Sequence, residues 1–150
     1  MIALLDVNVL LSMLWPRHIF YRQARGWFAA NRGTGWATCP LSQAGFVRLY
    51  AQPAITGTEI SIADVMDLLD DNCRDRDHVF WPQDSSVAHL LPEIRQRLVG
   101  HQQLSDAILL DLAIRKGGRL ATLDRRVLNL LAPDSPHRGA IELIPINENL

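Results

Sequence analysis

Asp6, Asp106 and Asp124 are the side chains of this sequence whose type and setting could do chemistry together. Asp6 closes the apolar run Ile2 to Leu5. Asp106 opens a strongly apolar stretch that ends at Gly117-Gly118, and Asp124 lies two residues past Thr122, at the end of another apolar run. Each acid has an ordinary use taken alone. Asp6 can cap a short helix starting near Asn8, Asp106 favours the positive end of a helix dipole, and Asp124 can cap a helix holding Arg125 and Arg126. Crowded together they would repel, and ionised acids stay close only when a cation or a cationic side chain compensates them. Oxygen-only ligation without cysteine favours a hard cation, Mg²⁺ or Mn²⁺, over zinc. Compensation by arginine stays open. His101, a lone histidine in a loop, is read as a surface or hydrogen-bonding residue rather than a ligand.

Whether the three acids meet depends on the elements that carry them. Ile2 to Leu5 reads as a strand buried on both faces. Ile19 to Ala30 has helical spacing, Trp36 to Thr38 is a short strand, and Pro40 starts a helix running to about Tyr50. Pro53 and Gly57 mark a loop. Ser61 with Asp64 then suggests a helix cap, and Ile62, Val65, Met66, Leu69 and Cys73 are expected to form that helix's buried stripe. Asp64, Asp67, Asp71 and Asp75 read as a solvated face. His78 to Trp81 is a strand, and Val87 to Leu98 a helix that Pro92 kinks or delays. Ser105 to about Lys116 is a central, buried helix stopped at Gly117-Gly118. Arg119 to Thr122 is a strand, Asp124 to Leu131 a short helix, and Ile141 to Ile144 a last strand before a polar tail.

Alternating strands and helices imply an α/β fold: a three-layer α/β/α sandwich around a mostly parallel sheet of four to five strands. Functional groups collect outside the carboxyl ends of such strands. Asp6 and Asp124 both follow strands, so they share that edge. The helix carrying Asp106 runs antiparallel to the strand after it, which brings Asp106 to the same place, and Gln43, in the first turn after the second strand, arrives likewise. Asp111, five residues beyond Asp106, lies about 140° around the helix and should face elsewhere.

Composition bounds the rest. At 150 residues the chain fits one domain. No apolar stretch approaches the roughly 18 to 20 residues of a membrane span, and no basic leader precedes Asp6, so a cytoplasmic protein is expected. Cys39 and Cys73 form no C-x-x-C pair and are expected to be buried, reduced thiols. The net charge of −1 gives no general reason to expect nucleic acid as a partner. The cations do gather late, as Arg115, Lys116, Arg119, Arg125 and Arg126, which by default is a solvated surface.

Four segments carry a family resemblance: LLDVNVLL from Leu4, PLSQAGFVRL from Pro40, LSDAILLDLA from Leu104 and ATLDRR from Ala121. Over essentially the whole chain the sequence resembles PIN-domain ribonucleases of the VapC toxin type. The resemblance implies that Asp6, Asp106 and Asp124 bind Mg²⁺ or Mn²⁺ and cut RNA. It also implies a homodimer and a cognate VapB-type antitoxin. Gln43 departs from the pattern, since many PIN domains carry glutamate there; one negative charge fewer should weaken the hold on a cation.

The expected chemistry is therefore metal-assisted phosphodiester hydrolysis. Asn8 and Thr122 would orient the carboxylates, and Arg125 and Arg126 would meet the RNA backbone. The alternative is a PIN-fold binding module, weakened or disabled by Gln43, that acts through its protein partner. A phosphoryl-transfer enzyme on a related sheet fits poorly, because Asn8 stands where a second aspartate would be wanted and Lys116 precedes a strand rather than following one.

Overall fold

The alternation of Ala3, Leu4 and Leu5 decides the layering, because these residues form β1 (Ala3–Leu5), buried on both faces and pointing in turn to opposite sides. Ala3 and Leu5 join one apolar cluster with Val9, Met13, Phe28, Trp36 and Phe46. Leu4 joins the other, with Ala37, Ile94, Leu110 and Leu120. The computed structural model describes residues 1–146, so the polar tail beyond them lies outside the described residues.

Five strands form one sheet: β1, β2 (Trp36–Thr38), β3 (His78–Phe80), β4 (Arg119–Thr122) and β5 (Ile141–Leu143), in the order β3-β2-β1-β4-β5. All four pairings are parallel. Helices α1 (Val7–Leu14), α2 (Tyr21–Asn31), α3 (Pro40–Tyr50) and α5 (Ile62–Cys73) cover one face; α6 (Pro92–Arg97) and α7 (Leu104–Arg115) cover the other. The short α4 (Pro53–Thr56) follows α3. The chain winds outward from β1 through β2 to β3, then returns to add β4 on the other side of β1. The order therefore reverses between β1 and β4, and a ligand crevice opens at such a switch point, beyond the carboxyl ends of the strands.

Local signals explain most boundaries. Ser61 caps α5 through Asp64 N–H at 3.0 Å. Gly117, at φ +68°, ends α7 in a Schellman turn, with Gly117 N–H on Ile114 O and Gly118 N–H on Ala113 O. At Gly45 a Cβ would lie 2.6 Å from Val7 Cγ2, so only glycine lets α3 approach the start of α1.

Three expectations need correction. Val65 and Leu69 are buried, but Ile62 and Met66 stand mostly exposed, because they line an open groove between α3 and α5 instead of the core. Val87 to Leu98 is not one helix: Pro92 delays the start, so α6 begins at it and a separate 3₁₀ turn spans Val87–His89, because proline can begin a helix but not continue one. Cys39 is fully buried, whereas Cys73 is only partly so.

Candidate functional site

Asp6 is the first residue past β1 and the N-cap of α1, and both its oxygens are engaged. Oδ1 accepts from Val7 N–H at 2.7 Å; Oδ2 accepts from the Thr122 hydroxyl at 2.7 Å and from Asn8 Nδ2 at 3.3 Å. The Thr122 oxygen in turn accepts from Asp124 N–H at 3.1 Å and from Asn8 Nδ2 at 3.3 Å. Donating once and accepting twice, that hydroxyl uses its whole hydrogen-bonding capacity to bind the end of β1 to the end of β4. Asn8 closes the set by accepting from Leu123 N–H at 3.3 Å. Asn8 and Thr122 thus both donate to the Asp6 carboxylate.

Asp106 lies in the first turn of α7, half-buried, and its carboxylate accepts no hydrogen bond from the described residues. Burial, and then repulsion from Asp6 and Asp124, pushes its pKa up to about 6. Burial also raises Asp6, against the hydrogen bonds from Thr122 and Val7 that favour its charged form. Asp124 behaves oppositely. Arg126 donates to both its oxygens, from Nε at 3.0 and 3.1 Å and from Nη2 at 2.7 Å, and this clamp holds the carboxyl below its ordinary range. Asp124 also caps the 3₁₀ turn Arg125–Leu130 through Arg126 N–H. The three acids therefore share one edge and feel one another's charge, with Arg126 clamped on Asp124 and its charge also partly offsetting Asp106.

Among the described residues no three His, Cys, Asp or Glu side chains converge closely enough to hold one ion jointly. The donor set nevertheless suits a hard cation. It is all oxygen, burial and mutual repulsion at Asp106 outweigh the partial offset from Arg126, and that one guanidinium is an exposed side chain able to move away.

The remaining predicted residues divide. Gln43 lines the groove between α3 and α5, and its Nε2 donates to the Thr38 hydroxyl at 3.0 Å, which also bonds His78 Nε2 at 2.8 Å. Arg125 is exposed beside Asp124. The other late cations are elsewhere, Arg115 on Asp111 at 2.8 Å and Arg119 on Glu142 at 2.6 Å. His101 is exposed and lines a cleft with Asp106 and Arg126. Asp111 faces away from the site, accepting from Leu91 N–H at 2.8 Å. Sequence reasoning missed Gln103, whose Oε1 accepts from Val99 and Gly100 N–H and shapes the turn leading to Asp106. The signal was present as a glutamine three residues after Gly100.

Comparison with known proteins bears on the same edge. The PIN domain family pattern matches residues 3–132, which span all three acids. Ribonuclease VapC38 of Mycobacterium tuberculosis is 42% identical over 144 residues, covering 96% of this chain and 99% of that protein. Ribonuclease VapC44 from the same species is 39% identical over 131 residues, 87% of this chain and 92% of its own. Among solved structures, FitAcB from Neisseria gonorrhoeae superposes with TM-score 0.57 at 15% identity, covering 86% of this chain and 92% of that one. VapBC2 from Rickettsia felis, solved bound to a DNA fragment from its promoter, does so with TM-score 0.56 at 16% identity, covering 87% and 96%.

Proposed function

This chain belongs to the PIN-domain family of VapC ribonucleases, and from that premise we propose that it is the toxin of a toxin–antitoxin pair that hydrolyses RNA phosphodiester bonds at the Asp6, Asp106 and Asp124 edge with Mg²⁺ or Mn²⁺. The observation that carries the reading is the placement of these three acids around the switch point between β1 and β4, inside the matched region. Asp6 and Asp106 would be the principal ligands, and Asp124 would bind directly or through water. A divalent cation held there supplies an activated water and neutralises charge developing on the phosphate. The chain's own part is to hold the carboxylates. Thr122 and Asn8 fix the orientation of Asp6, burial keeps bulk water from Asp6, and Arg126 with Arg125 offers positive charge to the RNA backbone.

Gln43 supports a second reading, a weakly active module that works through its partner, because it contributes no carboxylate and its Nε2 donates to Thr38. One experiment separates the two. Purified protein incubated with a broad RNA mixture should cut it with Mn²⁺ and stop when a chelator is added; no cleavage with Mn²⁺ would leave only the binding module.

A cognate VapB-type antitoxin and a homodimer belong to the same proposal, and the exposed Ile62 and Met66 are apolar surface that a partner would cover. Co-expression with the adjacent small reading frame, followed by gel filtration, measures both. Among the described residues no helix is long and apolar enough to cross a membrane.

A further inference from the structure

Beside the acid edge lies a cleft of about 680 Å³, walled by Val99, His101, Gln102, Asp106, Arg126 and Asn129. That volume falls within the roughly 300 to 1,000 Å³ of small-ligand sites. Two of its walls matter separately. The inner wall is the acid site itself, Asp106 and Arg126. The outer wall is a turn with a defined backbone, since Gln103 Oε1 accepts from Val99 N–H at 2.9 Å and from Gly100 N–H at 3.2 Å. On that turn Val99 is 91% exposed, the highest value among the described large apolar residues, and His101 and Gln102 are exposed beside it. Across the cleft, Asn129 is exposed on the 3₁₀ turn after Asp124, and its carbonyl is pinned by Arg97 Nε at 2.9 Å.

The lining chemistry is selective. Beyond Arg126 it offers no fixed cation, so it is a poor phosphate pocket. Two carboxamides, each with donors and acceptors, face a slot that also has an apolar side chain and an imidazole ring. Amides read the polar edge of a base, and flat or apolar groups pack on its face once the base has left its stack. We propose that this cleft is a subsite for one unstacked nucleobase of a single-stranded RNA, neighbouring the phosphodiester at the acid edge, and that Gln102 and Asn129 select which base it accepts. The inference rests on the ribonuclease reading above and adds the origin of its sequence preference.

The test uses the full chain with Mn²⁺ and a random-sequence RNA pool, with the cut ends sequenced. Wild-type protein should show a base preference at one position beside the cut. In Gln102→Ala and in Asn129→Ala that preference should fall about fivefold, the worth of one hydrogen bond of about 1 kcal/mol. Both residues are exposed, so folding should survive. If Asn129→Ala loses melting temperature, Gln102→Ala carries the test. A profile unchanged in the folded variants, with cleavage intact, overturns the subsite alone. An unchanged profile with weakened antitoxin binding also overturns it and gives the cleft to a protein partner. No cleavage by wild-type protein on any RNA overturns the subsite together with the ribonuclease reading.

Discussion

Helix α7 carries two aspartates five residues apart, and the fold treats them in opposite ways. Asp111, at the middle of the helix, is almost fully buried and fully answered: Leu91 N–H and Arg115 Nε each donate to it at 2.8 Å. Arg115 also reaches His89 O at 2.8 Å, so the pair ties α7 to the chain entering α6. Asp106, at the first turn, has no such donor and sits within range of two other carboxylates. A buried acid kept for structure is compensated, because an unpaired charge in the interior is costly. An acid left half-buried with no hydrogen-bond donor among the described residues is a cost the fold carries, and sites for cations are where such costs are kept.

The contrast breaks most sharply at the acid edge. Asp6→Asn should lower RNA cleavage about a thousandfold or more, the several kcal/mol a lost ligand removes from transition-state stabilisation, and should abolish growth toxicity on expression. Unchanged cleavage by a folded Asp6→Asn protein would sink the site. Asp111→Ala should do the converse. It leaves Leu91 N–H and the Arg115 guanidinium without their partner, so denaturant unfolding should show a loss of about 2 to 3 kcal/mol, while cleavage per folded molecule persists.

Asp106 gives a test whose sign comes from its pKa. The folded carboxyl titrates at about 6 against an ordinary 3.8, so between those values the folded state binds more protons than the unfolded one. Stability of the metal-free protein should therefore fall as pH rises through that window, and the deficit should remain above it. Asp106→Asn should melt a few degrees higher than wild type at pH 8, with the gain disappearing at pH 4 and Mn²⁺ no longer raising the melting temperature. A lower melting temperature at pH 8 would place Asp106 with Asp111, as a structural acid.

The smallest effect belongs to Arg126. Its clamp on Asp124 is solvent-exposed and therefore weak, so Arg126→Ala should tighten Mn²⁺ binding in a calorimetric titration by only about two- to fivefold. Weaker Mn²⁺ binding would mean that the guanidinium holds Asp124 in place for the metal rather than competing with it.

Periodicity and punctuation carried much of the fold into view. The strand ending at Asp6, the strand Trp36–Thr38, the helix from Pro40 and the glycine stop after α7 are local events, decided by residues within a few positions of one another. The helical stripe on α5 misled for Ile62 and Met66, because spacing reveals an apolar face and not whether anything covers it. Direction was hidden at Gln43 for a similar reason. Its position in the first turn of α3 was legible, but its bond to Thr38 depends on a hydroxyl that β2 and β3 present only once they are paired.

By itself the sequence determined which residues are acids and which elements they end or begin, and its alternation of strands and helices, which favours right-handed crossovers between parallel strands, pointed Asp6, Asp106 and Asp124 to one edge. Only the tertiary structure decided how each acid is treated there. The hydroxyl of Thr122 reaches Asp6 across 116 positions of chain, and Arg126 rather than a distant cation answers Asp124. Asp106 is left half-buried with no hydrogen-bond donor to it among the described residues. Burial, hydrogen-bond partners and charge compensation are properties of through-space neighbours, and those exist only after the chain has folded.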